Sequence, residues 1–429
     1  MSKYLVDLRV ALFQLNPQVG QLEQNIERTW NLVHRLKSIL DQDSSKYPQL
    51  VVFPEFALTG YSFHSKEQIK PHVSITRNSQ SFKFAQSVSK LFRCYTVIGY
   101  PEESMDANKH GRQVESVLYN SALVTDPSGD LTFNYRKSFL YDTEYEWGCQ
   151  ENPRSFQKFT MVFEKCAIEK NGTVAAAADI ELDASIGICM DLNPYKFEAP
   201  FNDFEFSSFC LDNNVDLMIC PMAWLHSKSI TKHDHDLDTI NRKLESIRRS
   251  LDTLQLPIHG SQGVFQIDIN KELCTQRRIS REDPLLSDSQ YDQLETPDME
   301  NVNYWILRFL PFLNLNIRKS LWYRQFIQLN ESLVGRERSY MGMSKEKSWK
   351  FEGRNSVLLL CNRCGIEDDG KTIFAGSSGI YKFNGKTARL DNDYETNIDS
   401  LNESVDLLGN LGKGLEGVIM RDIEFEVSK

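Results

Sequence analysis

The spacing of apolar positions switches along the chain between the period of a strand and the period of a helix. Residues 9–15 predict an opening strand, and apolar positions at helical spacing over residues 22–40 predict an amphipathic helix on a sheet. The short apolar run at 50–53 is typical of a strand covered on both faces. A second helix at 81–92 and a strand at 94–101 follow. This succession indicates an α/β fold.

The middle of the chain continues with a hairpin and a buried strand. Residues 118–125 and 131–135 predict the hairpin, because DPSGD between them supplies turn residues. The polar residues 102–116 before it predict an exposed loop. Residues 149–183 have little pattern and predict a long hairpin or loop. It leads to a strand that is predicted to end at Cys189.

A long polar segment separates the last strands from the rest. Residues 270–350 are mostly charged or polar and lack regular alternation, so we interpret them as an insertion within a single domain, residues 1–429. For the aromatic run NVNYWILRFLPFLNL inside it we favour packing on the body, with a lid or a dimer surface as alternatives. Before and after the insertion, helices are predicted at residues 204–211 and 228–254. Strands are predicted at residues 216–224, 257–269, 356–361, 372–375, 380–383 and 417–427.

Composition and charge narrow the classes of partner. The net charge is -10 and the pI is near 5.4. Nucleic acids and anionic membranes select basic patches, so we expect no nucleic acid and no membrane partner. The chain has no apolar stretch of about 18 uncharged residues and no signal-peptide core at its start. Its nine cysteines are scattered, unlike a disulfide framework, so we expect a reducing, intracellular and thus cytoplasmic location.

The stretch FPEFALTGY places a carboxylate directly after a buried strand. Pro54 ends the strand because it has no N–H to donate, so Glu55 follows at the carboxyl end among apolar neighbours. A carboxylate in such surroundings is paired or has a raised pKa, which suits a general base. The alternative is a glutamate that caps a loop at the rim of the fold.

The stretch YRKSFLYDTE brings a lysine and a second carboxylate to the end of the hairpin. Lys137 directly follows a strand among aromatic residues, and Glu144 stands seven residues later. A lysine held in such surroundings beside carboxylates keeps its charge and can stabilise a developing oxyanion. The alternative for an isolated lysine is a solvated surface position.

The stretch SIGICMDL supplies a thiol at the end of a strand. Ligands and chemistry gather at the carboxyl ends of strands in α/β folds, so Cys189 is a candidate nucleophile. A lone cysteine in an apolar strand is more often a core residue. Together, however, Glu55, Lys137 and Cys189 form the base, cation and thiol that acyl transfer requires, and this combination favours catalysis.

Two further motifs carry weaker hypotheses. The HDHD at residues 233–236 has no second ligand cluster near it, and charged helices are usually solvated, so we expect no metal site there. Cys361 and Cys364 form a C-x-x-C without a second pair at zinc spacing. We interpret them as two reduced thiols of the core.

The three stretches resemble the motifs of the nitrilase superfamily of carbon–nitrogen hydrolases, with supporting matches at YNSALVTDPSG, CPMAW and FAGSSGI. Over its whole length, including PDMENVNYWILRF in the insertion, the chain is also similar to the fungal protein N-terminal amidases. The resemblance implies an α/β fold of the nitrilase type, a four-layer α-β-β-α sandwich with a fungal-type insertion. It also implies deamidation of Asn or Gln at the amino terminus of proteins or peptides, which feeds N-degron-dependent degradation.

The resemblance further implies roles for the candidate residues. Glu55 would take the thiol proton of Cys189, and Lys137 would hold the oxyanion with help from a backbone N–H. Hydrolysis of the resulting thioester would give Asp or Glu and ammonia. Glu144 matches the second carboxylate of the family, which orients Lys137 and the substrate. No metal or organic cofactor is needed.

Substrate recognition leaves alternatives open. An enzyme specific for amino termini needs a carboxylate for the α-ammonium group, and Asp191 and Glu144 are both candidates. Asp191 could equally cap the turn that follows it. Trp224 is a candidate for the pocket wall, with core packing as the alternative. The competing functions are an amidase of the same superfamily acting on a small-molecule amide or ureido metabolite, and a non-catalytic scaffold. Monomer and homodimer both remain open.

Overall fold

The computed structural model describes residues 2–41, 43, 46–107, 114–170, 177–232, 234–254, 265–269, 294–313, 351–386 and 404–429. The strands in these ranges are β1 (Lys3–Gln14), β2 (Leu50–Val52), β3 (Tyr95–Ala107), β4 (Val114–Thr125), β5 (Leu131–Arg136), β6 (Lys158–Glu169), β7 (Ala178–Ile186), β8 (Leu217–Met222), β9 (Gln266–Ile269), β10 (Ser356–Asn362), β11 (Ile366–Glu367), β12 (Thr372–Ile373), β13 (Gly379–Phe383), β14 (Val405–Asn410) and β15 (Gly417–Ser428). The α-helices are α1 (Leu22–Leu40), α2 (Lys66–Ile69), α3 (Gln80–Phe92), α4 (Asp142–Glu146), α5 (Glu205–Asp212), α6 (Leu237–Leu254), α7 (Met299–Leu307) and α8 (Leu310–Leu313).

One mixed sheet contains thirteen of these strands and passes through β1. The C-terminal part of β1, residues 10–12, pairs in parallel with β2, and this first half continues through β3, β4 and β5. The N-terminal part, residues 4–6, pairs antiparallel with β6, and the second half continues through β7, β8, β10, β13 and β14. One strand therefore belongs to both halves of the sheet.

The side chains of β1 alternate between two apolar clusters, and this alternation explains how the layers pack. Leu8, Val10 and Leu12 lie in one apolar cluster with side chains of both halves of the sheet. The intervening Ala11 and Phe13 belong to a second cluster with the buried faces of α1 and α3. Neighbouring side chains of a strand point to opposite faces. The first half is thus covered by the second half on one face and by α1 and α3 on the other.

The second half of the sheet packs against α5 and α7. Phe206 of α5 and Trp305 of α7 are buried in the same cluster as the side chains of β8. The order of layers is therefore helix, sheet, sheet, helix, which confirms the predicted α-β-β-α sandwich. Within the described ranges, no helix is long and apolar enough to cross a bilayer.

The aromatic run of the predicted insertion packs on the body. It forms α7 and α8, and Trp305 and Ile306 are fully buried. Arg308, between the two helices, is also buried and donates to the backbone oxygens of Leu192 and Phe201 at 2.6 Å each. The favoured packing interpretation therefore holds for residues 299–313, while the rest of the aromatic run, residues 314–315, lies outside the described residues.

Two predictions from the polar pattern are wrong. Residues 102–107 and 114–116 belong to β3 and β4, which pair antiparallel from Thr96 with Thr125 to Ala107 with Val114, and do not form a loop. The prediction treated polar side chains as exposed. Glu102, however, is buried, and Arg136 donates to it at 2.9 Å. The predicted helix at 228–254 begins only at Leu237, after Asp236 accepts a hydrogen bond from the Thr239 N–H at 3.0 Å.

Candidate active site

Glu55 lies on a tight turn just beyond β2. The Gly99 N–H of β3 donates to the Pro54 carbonyl at 3.1 Å and holds this turn against the neighbouring strand. A Cβ atom at Gly99 would stand 2.5 Å from the Glu55 Cα, so only glycine permits the approach. Phe56 continues the turn with φ of 47°, the left-handed region that non-glycine residues seldom adopt. The backbone thus fixes the position of the Glu55 side chain.

Lys137 follows β5 directly and contacts two carboxylates. Its Nζ lies 2.8 Å from Glu55 Oε1 and 2.7 Å from Glu144 Oε1, and the side chains of all three residues are fully buried. A buried ion pair is tolerable only where charge and hydrogen bonds are matched. Burial lowers the pKa of the Lys137 ammonium, but the charges of Glu144 and Glu55 outweigh it and raise that pKa above its ordinary value. Lys137 therefore stays protonated.

Glu144, in α4, has both oxygens engaged by the protein. Its Oε1 accepts from Lys137, from the Asn120 side-chain amide and from the Tyr61 hydroxyl at 3.1 Å. Its Oε2 accepts from the Tyr141 backbone N–H at 2.7 Å. These four donors hold Glu144 in place, and Glu144 in turn positions Lys137.

Tyr61 is itself held from the C-terminal part of the chain. The Glu367 carboxylate accepts from the backbone N–H groups of Tyr61 at 3.1 Å and Ser62 at 2.9 Å. Arg363, fully buried, donates to the same carboxylate at 2.9 Å. The loop after Glu55 is thus tied to the end of β10, and the Tyr61 hydroxyl reaches Glu144.

Glu55 differs from Glu144 because one of its carboxylate oxygens accepts no hydrogen bond from the described residues. Oε1 accepts from Lys137 and from the Asn120 amide at 2.6 Å. Oε2 is buried, and among the described residues it has no hydrogen-bond partner. A buried carboxylate oxygen without a donor is costly in a folded protein and is a common mark of a functional group. A carboxylate oxygen without a donor is also free to accept a proton.

Cys189 begins a short turn, Cys189–Leu192, three residues beyond β7. Its φ of 44° places it in the left-handed region, a strained conformation that is frequent at functional sites. A Cβ atom at Gly187 would stand 2.8 Å from the ring of Phe206, so the strand can end this close to α5 only at a glycine.

The protonation state of Cys189 follows from its surroundings. Burial and then the charge of Glu55 raise the pKa of the thiol well above its ordinary value, although Lys137 lowers it. The resting group is therefore a neutral thiol.

Asp191 holds the nucleophile turn against the segment that carries Lys137. Its Oδ1 accepts from the backbone N–H groups of Ser138 at 3.0 Å and Phe139 at 2.7 Å. Its Oδ2 accepts from the Ile188 N–H at 2.8 Å and the Tyr135 hydroxyl at 2.9 Å. Burial raises the pKa of the carboxyl to about 7 against these hydrogen bonds. With four donors and no exposure, Asp191 fits the alternative of a turn cap better than substrate binding.

A cavity of about 500 Å³ lies at Cys189. Tyr61 and Tyr141 line it together with Cys189, while Glu55, Lys137, Glu144 and Asp191 are fully buried. Trp224 also lines the cavity, so the predicted position of this residue in a pocket wall holds geometrically. The cavity volume falls within the ordinary range for a ligand of small-molecule or dipeptide size.

Helix α7 also lines this cavity. The indole N–H of Trp224 donates to the Asn301 side chain at 3.0 Å, and the Tyr304 hydroxyl donates to Asn193 at 2.7 Å. Asn301 and Tyr304 stand one turn apart on α7, and both line the cavity. The aromatic run, for which packing on the body was favoured, therefore also lines this cavity.

Sequence reasoning did not single out several residues of the site. Asn120 stands in YNSALVTDPSG and Tyr61 ends FPEFALTGY, so both were inside motifs already recognised. Tyr304 stands in the aromatic run, and Asp234 in the HDHD that was considered only for metals. In the part of the chain that the structure describes, no three His, Cys, Asp or Glu residues are grouped to hold a metal ion.

Comparison with known proteins agrees with this geometry. A family model described as carbon–nitrogen hydrolase matches residues 9–193, which include all three motifs. A Saccharomyces cerevisiae protein named protein N-terminal amidase is 47% identical over 465 residues, covering 99% of this chain and 97% of that protein.

Solved structures extend the similarity to three dimensions. A crystal structure of an N-terminal amidase with an Asn-Glu-Ala peptide matches with a TM-score of 0.84 at 46% identity, and one with a Gln-Val peptide matches with a TM-score of 0.83 at the same identity. Each comparison covers 100% of both chains. This chain belongs to the carbon–nitrogen hydrolase family, as its motifs predict, and stands close to the members named protein N-terminal amidase.

Proposed function

We propose that this protein hydrolyses the side-chain amide of an amino-terminal Asn or Gln residue, giving Asp or Glu and ammonia. The observation that carries the chemistry is the fully buried cluster of Glu55, Lys137 and Glu144, whose charges act on the thiol of Cys189 in the lining of the cavity. The substrate class rests on the similar N-terminal amidase, which has been crystallised with Asn-Glu-Ala and Gln-Val peptides.

In the first half of the reaction, the Cys189 sulfur attacks the amide carbon of the substrate side chain. Glu55 Oε2 takes the thiol proton, for which it is suited because no donor occupies it among the described residues. The amide oxygen becomes an oxyanion, and the Lys137 ammonium stabilises it because it remains charged inside a buried site. Collapse breaks the carbon–nitrogen bond, and ammonia leaves with the proton returned from Glu55.

In the second half, water hydrolyses the thioester. Glu55 takes a proton from the water as the water oxygen attacks the thioester carbon, and Lys137 again stabilises the oxyanion. The carbon–sulfur bond then breaks, and the proton on Glu55 returns to the sulfur. The products are a carboxylic acid and the starting thiol, so one amide and one water yield one acid and one ammonia.

Glu144 acts through Lys137 in this scheme. It holds the ammonium at 2.7 Å and is itself held by Tyr61, Tyr141 and Asn120. We assign it a positioning role, because every one of its oxygens is engaged by the protein and neither reaches the cavity wall.

The proposal also includes the domain organisation of the enzyme and its location in the cell. We infer a single catalytic domain over residues 1–429, with residues 270–350 inserted, because α7 shares the apolar cluster of the sheet. The eight cysteines in the described ranges are free thiols, which supports a reducing compartment such as the cytoplasm. The product would enter N-degron-dependent degradation.

A single assay tests the proposed function. Purified protein is given a peptide that begins with Asn, its N-acetylated twin, and small aliphatic amides, and ammonia and the mass of each product are followed. We expect turnover of the free peptide and little of the other substrates. Turnover of the small amides alone would instead indicate a metabolite amidase, and the absence of any turnover would indicate a scaffold.

A further inference from the structure

A peptide amino terminus differs from other amides by its α-ammonium group. The group has an ordinary pKa of about 7.7–8.0, so it is mostly charged at neutral pH. A cavity that excludes part of its water must offer an opposite charge, or the binding of the ammonium is unfavourable. This requirement rests on the proposed function, and it asks for a carboxylate within reach of the cavity.

The carboxylates of the catalytic cluster do not meet this requirement. Asp191 and Glu144 are fully buried, and both oxygens of each accept hydrogen bonds from the protein. Glu55 has one oxygen that accepts no hydrogen bond from the described residues, but the proposed reaction needs it for the proton of the thiol. A different carboxylate must therefore face the substrate's amino group.

Asp234 is placed in the wall of the same cavity as Cys189. Of the described residues that line the cavity, it is the one that carries a carboxylate. Its side chain is 15% exposed, so it is accessible and yet largely removed from water. A charge in such a position acts more strongly than one on the open surface.

The surroundings of Asp234 fix one oxygen and leave the other available. Oδ2 accepts from the Thr231 N–H at 2.9 Å, the Thr231 hydroxyl at 3.3 Å and the Lys243 ammonium at 2.9 Å. Among the described residues, none of the hydrogen bonds to Asp234 ends on Oδ1. The Thr231 N–H and then Lys243 lower the pKa of the carboxyl below its ordinary value, so it is ionised at neutral pH.

Lys243 lines the same cavity as Asp234 and is held in place by a second contact. Its ammonium also donates to the Ser229 carbonyl at 3.0 Å. The lysine therefore fixes Asp234 through Oδ2, and Oδ1 is the atom to which a second cation would bind.

We propose that Asp234 binds the α-ammonium group of the substrate and makes the enzyme selective for free amino termini. The assignment separates two functions that lie in one cavity. Cys189, Glu55 and Lys137 act on the side-chain amide, while Asp234 recognises the charge of the amino terminus. Trp224, in the same wall, offers an aromatic face that also favours a cation.

The test compares a peptide that begins with Asn to its desamino twin, in which a succinamoyl group replaces the Asn residue and hydrogen replaces the α-amino group. For the unaltered enzyme, we expect kcat/KM to be about 10- to 100-fold higher for the free peptide, the range of a hydrogen bond to a charged group. Asp234→Asn should lower kcat/KM for the free peptide by a similar factor, mainly through KM. It should leave the desamino twin within about two-fold, since that twin does not use the charge.

Two further variants make the test specific. Asp234→Glu keeps the charge and should retain most of the preference for the free peptide. Asp236→Asn is the matched control on the same segment, because its side chain is 61% exposed and Asn also caps a helix well. It should behave as the unaltered enzyme does.

The outcomes separate this inference from the proposed function. If the unaltered enzyme turns over both twins at equal rates, or if Asp234→Asn keeps the full preference, the Asp234 assignment is wrong while the amidase activity stands. An equal loss on both twins would show a structural role for Asp234 and would also overturn it. If the unaltered enzyme hydrolyses neither twin, the proposed function fails, and the assignment of Asp234 with it.

Discussion

The floor and the wall of the cavity are built in different ways. The floor is the group of Glu55, Lys137 and Cys189 at the ends of β2, β5 and β7, with exposures of 0%, 0% and 8%, of which Cys189 lines the cavity. The wall includes Asn301 and Tyr304 of α7, both of which are partly exposed. Chemistry is thus assigned to side chains fixed by strand ends, while substrate contact is assigned to side chains on elements that can vary without disturbing the sheet.

The two regions are nevertheless coupled through Arg308. Its guanidinium donates to the carbonyl of Leu192, the last residue of the Cys189–Leu192 turn, and lies 3.2 Å from the Glu205 carboxylate. Both side chains of this ion pair are buried, and burial raises the pKa of Glu205 above its ordinary value. The wall therefore supports the floor from behind, and a change in one can be measured in the other.

The largest expected effect is at the nucleophile. Cys189→Ala should reduce kcat by about 10⁴-fold or more, because no other group in the floor can form the thioester. Ammonia release measures the activity, and urea unfolding should give a midpoint close to that of the unaltered protein. Substantial activity in this variant would show that another residue attacks the amide.

The second effect concerns the general base. Glu55→Gln should reduce kcat by about 10²- to 10⁴-fold, the usual contribution of proton transfer, because the amide cannot accept the thiol proton at Oε2. Glu102→Gln is the matched control, since Glu102 is also a buried glutamate but lies on β3 with Arg136. If both variants lose activity equally, burial of a carboxylate and not proton transfer explains the loss.

The third effect tests the coupling of wall and floor. Arg308→Met leaves Glu205 buried without its partner and should lower the free energy of unfolding by about 3–5 kcal/mol. Urea unfolding measures the change, and the double variant with Glu205→Gln should recover part of it. An unchanged unfolding midpoint in the single variant would mean that α7 does not stabilise the segment after Cys189.

The smallest expected effect belongs to the wall alone. Tyr304→Phe removes the hydrogen bond to Asn193 and should cost about 0.5–1.5 kcal/mol, seen as a rise in KM of about two- to ten-fold. We expect kcat to stay the same, because the floor is untouched. Tyr47→Phe, which removes a hydroxyl bonded to Asp41 away from this cavity, should leave both constants unchanged. A fall in kcat with constant KM would place Tyr304 in the chemistry instead.

The floor was more predictable than the wall. Each of its residues follows a strand that the sequence predicts, as Pro54 ends the apolar run before Glu55, and such signals are local. The wall has no local signal of this kind. Tyr304 stands in an aromatic run that would serve equally well as core, and Trp305 beside it is core. Asp234 stands in a charged segment whose sequence resembles any solvated helix start.

Asp191 illustrates the limit of spacing as evidence. Its position two residues after Cys189 fitted both substrate binding and turn capping. The four donors that surround it come from the nucleophile turn and from the segment at Tyr135, Ser138 and Phe139, more than 50 positions away. The residues near Asp191 in the sequence do not predict this arrangement, because most of the donors reach the carboxylate only in the folded protein, where β5 and β7 bring the two segments together.

The amino-acid sequence by itself determined the α/β class and the chemical groups that follow the predicted strands, because periodicity and turn residues act over a few positions. Only the tertiary structure decided that Lys137 lies 2.8 Å from Glu55, across 82 positions of chain, and that Asp234 and Tyr304 face the cavity of Cys189. Such distances depend on how the halves of the sheet pair and on which helices cover them. They are set by packing across the whole fold.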